Sequence, residues 1–146
     1  PGAMLKAALT GSLPDGDFKT WGRYSDDLRP ASVAVGRGLY QHLGIARGDR
    51  AGRDAWNRRN CEFFGAPTAV WVFVHDTLLP FSAHDAGLML QTLMLAAQAR
   101  GLGSCALGVL ATWRRPIDVA FAVPEHYKLV TDFRAEHPPI RLAASR

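Results

Sequence analysis

Residues 82–110 read SAHDAGLMLQTLMLAAQARGLGSCALGVL, and the fold turns on them. Ser82 carries an oxygen able to accept from an orphan backbone N–H, and Asp85 places negative charge where a helix N-terminus favours it. From Ala86 to Ala97 nearly every residue is apolar; Gln91 and Thr92 are the clear exceptions. A helix apolar on all sides has no face to give to water, so it belongs inside a domain or between subunits. It is too short to span a bilayer and carries a polar residue near its middle. Arg100 and Gly101 then predict its end, a cation in the last turn and a glycine at the cap.

The whole chain has 146 residues, enough for one domain with a real core. It is 48% apolar and 21% charged, with a formal charge of +4. The basic residues, such as Arg47, Arg50, Arg53, Arg58 and Arg59, are scattered among acids in helical patterns. They read as solvated helix faces rather than a nucleic-acid surface, while anionic cofactors or substrates stay compatible. Cys61 and Cys105 lie far apart without CxxC spacing, which reads as reduced thiols of a cytoplasmic protein. No signal peptide and no transmembrane run is visible. The chain begins PGAM, as a cloning remnant or a fragment of a longer protein would.

Upstream, MLKAAL is a short helical candidate. LPDGDF at 13–18 is turn chemistry, with Trp21 and Tyr24 as candidates to pin the loop. Pro30 suits the first turn of a helix to about Leu43. A second helix runs from about Asp49 to Phe64, stopped by Gly65 and Pro67. TAVWVFVHD, 68–76, is a continuous β-branched and aromatic run and predicts a strand buried on both faces. After Leu110, Thr112 is placed to cap a short helix with Pro116 in its first turn. HYKLVT, 126–131, is a second strand, and residues 132–146 read as an extended, surface-running tail. The reading is a single domain over 1–146.

Little in the side chains points to catalysis. GLGSCA at 101–106 matches the dinucleotide pattern G-x-G-x-x-A, but that motif needs a strand before the glycines and a helix after them. Here the order is reversed, so a helix cap and a tight turn suffice. Gly108 is more telling, since bare backbone beside small residues lets a flat ring approach the main chain. His75-Asp76 and His84-Asp85 lack metal-motif spacing. Cys105 reads as a buried structural thiol, and Ser104 has no nucleophile elbow. No catalytic side chain is assigned, and a cofactor would carry the chemistry.

Four segments, FFGAPTAVWVFVHD, DAGLMLQTLMLAAQARGLGSCALG, VPEHYKLV and FRAEHPPI, together resemble the FMN-dependent nitroreductase family in order and spacing. The resemblance implies an α+β fold with a mixed or antiparallel sheet surrounded by helices, and a central buried helix at a homodimer interface. It implies FMN as cofactor, NAD(P)H as electron donor, and a nitroaromatic or quinone-like small-molecule acceptor, with no nucleic-acid or membrane partner. Ala106, Leu107 and Gly108 match the family's stretch along the flavin ring. Arg134 matches a C-terminal basic residue that reaches the FMN phosphate. Asn60, Phe63 and Phe64 are matched to the pocket lining. Two family segments are missing, an N-terminal phosphate-binding piece and a glycine-rich strand after YKLV. A flavin-free, non-catalytic dimer that binds small molecules or serves a structural role is therefore the alternative.

Overall fold

The computed structural model describes residues 2–20 and 22–136. Trp21, His137 and the Pro-Pro pair lie outside them.

The apolar run after Pro67 forms β1, Thr68–His75. Its side chains alternate between two cores, as the two-sided burial pattern predicts. Val72 and Val74 pack with Ala86, Leu90 and Phe133 on one face. Trp71 and Phe73 pack on the other, against Cys61, Leu107, Leu110, Ala111, Ile117 and Leu129. β2 is Gly103–Ala106 and β3 is Tyr127–Glu136. The sheet order is β1-β3-β2, and both pairings are antiparallel. Val72 faces Thr131 and Phe73 faces Leu129, so Val130 is an extra residue in the ladder, a bulge.

β3 corrects the tail expectation. The strand does not stop at Thr131; it runs on to Glu136, with residues 133–135 paired on both sides as the spine of the sheet, Asp132 in register with β1 and Glu136 with β2. Asp132, Phe133 and Arg134 are all buried. Phe133 faces the α4 core, while Asp132 and Arg134 flank it in sequence and so turn to the other face. Polar residues at alternate positions hid a central strand.

α4 is Phe81–Ala99, ending where predicted: Arg100 is the C-cap and Gly101 sits at φ +75°, in the left-handed region. The start differs. Pro80 is the N-cap, no side chain caps the helix, and Ser82 lies inside it. Only Ala86 and Leu90 of α4 are buried, whereas Leu88 and Leu95 are 58% and 60% exposed and Met89 and Leu93 lie beside them at the surface. Of the two places for an all-apolar helix, the domain interior accounts for one face only.

α1 is Gly2–Leu9, α2 Arg29–His42 and α3 Arg50–Cys61. Asp49 caps α3 by accepting from the Gly52 N–H at 2.8 Å. α2 opens with a proline in its first turn and buries none of its residues. A 3-10 turn, Gly108–Thr112, leads to α5, Arg115–Ala120. Thr112 ends that turn and does not cap α5. The cap comes from far away in sequence: the Asp15 carboxylate accepts from the Arg114 N–H at 2.8 Å and the Arg115 N–H at 3.3 Å. Gly16 lies so close to the Ala111 carbonyl that a Cβ would collide with it. Asp17 accepts from the Leu129 N–H and pairs with Arg114. The 13–18 loop is thus held by acids and a glycine rather than by the aromatic at 24, since Tyr24 is 59% exposed.

Candidate functional site

The sheet leaves one edge strand, β2, with small side chains along its whole length. Gly101 turns the chain out of α4, and GSCA then pairs with β3 on one side only. The Leu107 N–H donates to the Asp132 carbonyl at 2.8 Å. By the alternation of an antiparallel ladder, Ala106 and Gly108 turn their backbone groups the other way, to the open side. The N–H groups of Gly108 and Val109 find no acceptor among the described residues. A Cβ built on Gly108 would meet nothing within 4 Å. The edge therefore presents free donors beside open space, bounded by residues too small to block a planar ligand. Of the three residues singled out here by sequence, Leu107 spends its N–H on the sheet and buries its side chain in the core. Ala106 and Gly108 keep theirs available.

A second assembly gathers Phe63, Phe64 and Arg134. Helix α3 ends at Cys61, and a 3-10 turn, Phe63–Gly65, follows. Phe63 and Phe64 adopt φ of 52° and 53°, values that side-chain-bearing residues rarely take. The turn is held from below. The Arg134 guanidinium lies 5.1 Å from the centre of the Phe64 ring, and its Nη1 makes long contacts of 3.5 Å to the Phe63 carbonyl and to Glu136. Phe64 also packs edge-on against Trp56 at 5.2 Å, and Phe63 against Trp71 at 6.1 Å. Arg134 is only 7% exposed, so it is a sheet residue facing an aromatic turn and not a tail residue reaching outward. Asn60 stands apart. Its side chain donates back to the Asn57 carbonyl at 3.0 Å, and it lines a groove with Asp54, Cys61 and Val109. It therefore borders the Gly108 edge, whereas Phe63 and Phe64 belong to the arginine cluster.

Beside Arg134 lies a group that sequence reading passed over. Asp132 is fully buried, and neither of its carboxylate oxygens has a hydrogen-bond partner among the described residues; the Nε of Arg134 is likewise unpaired. Burial pushes the Asp132 carboxyl up to about 7. The signal was present as the alternation DFR, but only if the segment was first read as a strand.

His75 and His126 are satisfied locally. His75 Nδ1 is 2.6 Å from the Thr77 hydroxyl, His126 stands 3.5 Å from Asp76, and the two rings stack at 5.5 Å. No group of three metal-ligand residues occurs among the described residues. Cys105 is exposed on β2, contrary to the buried reading, because the strand's outer edge and face are uncovered there. Cys61 is the buried thiol, its pKa raised by burial.

The chain matches the model of the nitroreductase family over residues 23–131. It is 32% identical over 129 residues to a 4-nitrobenzoate reductase of Nocardioides sp. (strain LMS-CY), covering 84% of this chain and 52% of that protein. It is 31% identical over 109 residues to nitroreductase NfnB of Mycolicibacterium smegmatis, covering 75% and 46%. The chain thus spans about half the length of these relatives. Among solved structures, the FMN and NADPH-dependent nitroreductase NfnB from sphigopyxis sp. strain HMH superposes with a TM-score of 0.85 at 27% identity, over 93% of this chain and 62% of that one. The FMN-dependent NfnB from Mycobacterium smegmatis, solved with NADPH, gives 0.82 at 27% identity, over 92% and 60%.

Proposed function

The chain belongs to the nitroreductase family, and from that premise we propose that it is an FMN-dependent oxidoreductase carrying electrons from NAD(P)H to nitroaromatic or quinone-like acceptors. The observation that carries the reading is the open side just past β2, where the Gly108 N–H has no acceptor among the described residues and a Cβ-free residue faces open space. Its residues fit the edge of a flavin ring, because a donor aimed at a site of developing charge needs close backbone approach. Bound FMN would supply the two-electron redox chemistry. The chain's part is to hold the ring: Gly108 and Val109 donate, Ala106 stays small, and Leu107 anchors the segment in the core. No side chain is assigned as acid, base or nucleophile.

Arg134 fits the phosphate role less well. A phosphate would have to draw it away from the Phe63 carbonyl, Glu136 and the Phe64 ring. We assign it to positioning the strained Phe63–Phe64 turn; of the three proposed lining residues, Asn60 is the one that borders the Gly108 edge. That inward commitment is also what favours the second reading, a flavin-free dimer.

A homodimer is supported by exposed apolar surface. Leu88, Met89, Leu93 and Leu95 on α4, with Val33, Val35 and Leu39 on α2, leave two helices without a covering partner in one chain. A homodimer that covers them accounts for both. A cytoplasmic setting suits the two unpaired thiols, and no described helix is long and apolar enough to cross a membrane.

Purified chain mixed with FMN is expected to turn yellow, to bleach anaerobically with NAD(P)H, and to recolour on adding a nitroaromatic. Gly108→Val, which crowds the ring's approach, is expected to weaken FMN binding by about tenfold or more. A protein that takes up no FMN sinks the enzyme reading and leaves the flavin-free dimer.

A further inference from the structure

Asp132, Arg134 and Glu136 are alternate residues of β3, so an acid, an arginine and a second acid share one face of the strand. Residues two apart on a strand lie about 7 Å apart along it, which puts both acids within reach of a guanidinium between them. Arg134 serves the Glu136 side. Its Nη1 is 3.5 Å from both Glu136 and the Phe63 carbonyl, at the long limit of a hydrogen bond. Its Nε has no partner among the described residues, and neither oxygen of the fully buried Asp132 has one. An unused donor and two unused acceptors therefore sit on neighbouring side chains, while the contacts that hold the arginine where it is are weak. A protonated Asp132 makes this tolerable, since a neutral carboxyl costs far less to bury than a carboxylate. Little else answers its charge. β1 sets Trp71 opposite Asp132 and Ala69 opposite Arg134, and β2 sets Cys105 opposite Arg134. The 3-10 turn Gly108–Thr112 carries no titratable residue. Cys61 lies in the core on that face, Glu62 is exposed, Arg59 stands 5.4 Å from the centre of the Phe64 ring, and Asp17 is paired with Arg114 and Lys128.

We propose that Arg134 is a two-position latch: with Asp132 protonated it holds the Phe63–Phe64 turn, and with Asp132 ionised it swings to that carboxylate and lets the turn go. The proton leaves to water, and the buried charge gains a bidentate partner through Nε and one Nη. The turn then loses the cation on the Phe64 ring and the donor on the Phe63 carbonyl, now at 5.1 Å and 3.5 Å. Phe63 and Phe64, at φ 52° and 53°, are held in a costly conformation and relax once released. The bond that closes the turn, from the Ala66 N–H to the Phe63 carbonyl at 3.0 Å, opens with them. Asn60, three residues before Phe63, lines the groove beside Val109, so the latch couples pH to the side of the molecule that borders the Gly108 edge. Burial alone releases the Asp132 proton at about 7. Pairing with Arg134 favours the ionised form, so the latch turns at or below that value. It depends on Arg134 holding the turn and needs no flavin.

The test is hydrogen exchange of the Ala66 N–H and the Arg134 Nε–H, followed by NMR from about pH 5 to about pH 8.5 and corrected for the intrinsic pH dependence of exchange. As pH rises, Ala66 is expected to lose protection by about tenfold or more while the Arg134 Nε–H gains it, in a single transition. A general loosening of the sheet lowers both, so the opposite signs belong to the latch. In Asp132→Asn both values are expected to be independent of pH, with the fold checked by circular dichroism. Glu136→Gln, at a partly exposed position, removes the competing acid and is expected to move the midpoint to lower pH. That variant decides the matter even where the Asp132 variant fails to fold. Ala66 protection that does not change with pH in the wild-type chain overturns the latch. So does a transition that survives in Asp132→Asn, a midpoint that Glu136→Gln leaves in place or raises, or protection of Ala66 and Arg134 falling together. FMN uptake enters none of these outcomes, so the latch and the flavin reading stand or fail separately.

Discussion

Asp132 is fully buried. Its carboxyl is buried with no hydrogen-bond partner among the described residues, so the folded protein holds a proton up to about pH 7, whereas an unfolded chain releases it near the ordinary value of 3.8. Between those values the folded state binds more protons than the unfolded one, so stability falls as pH rises through the window and levels off above it. The full effect is on the order of 4 kcal/mol. Urea midpoints measured from pH 4 to pH 8 are expected to fall across this range in the wild-type chain. Asp132→Asn, which cannot titrate, is expected to flatten the profile; an equally steep slope in that variant would place the proton elsewhere. Sequence reading missed this residue for the reason it missed the end of β3. Asp, Arg and Glu at 132, 134 and 136 look like a solvated tail until the ladder on both sides is seen.

At the scale of elements, α4 divides into two faces that respond differently. Leu90 is buried against β1 and β3, and Leu90→Ala is expected to cost about 2–5 kcal/mol, read as a lowered melting temperature at every protein concentration. Leu93 is 42% exposed, and Leu93→Glu is expected to leave the fold intact while converting dimer to monomer in light scattering. A Leu93→Glu chain that remains a dimer of normal stability removes α4 from the interface. Met94, one residue on, packs against the α4 core and tests the fold rather than the assembly. The helix's ends show how far local signals reach. Gly101 was legible because a left-handed cap is a property of one residue. The start was not, because Ser82 is a good cap only if the chain enters the helix there, and Pro80 begins it two residues earlier.

For the whole molecule, two helices with uncovered apolar residues tie stability to association. The melting temperature is expected to rise with protein concentration, and to rise further with FMN, since any partner that binds only the folded state stabilises it by mass action. Differential scanning fluorimetry across a hundredfold concentration range checks both; a midpoint insensitive to concentration would mean the apolar faces stay uncovered. The loop at 13–18 is organised at this scale too. Asp15, Gly16 and Asp17 bridge to residues about a hundred positions away, capping α5 and meeting β3. Nothing in LPDGDF identifies those partners, although the turn itself was readable.

The sequence by itself determined what depends on neighbours along the chain: an all-apolar helix and its glycine stop, a two-faced strand at 68–75, the proline-led helices, and a small-residue run suited to close approach. It also carried enough ordered similarity to point to the family. The tertiary structure decided which polar residues are inside. Arg134 moved from an outward tail to the underside of an aromatic turn, and Asp132 became a buried carboxyl with no hydrogen-bond partner among the described residues. Each of these outcomes depends on pairing between distant segments, and the local pattern of a strand or helix does not say what lies across from it.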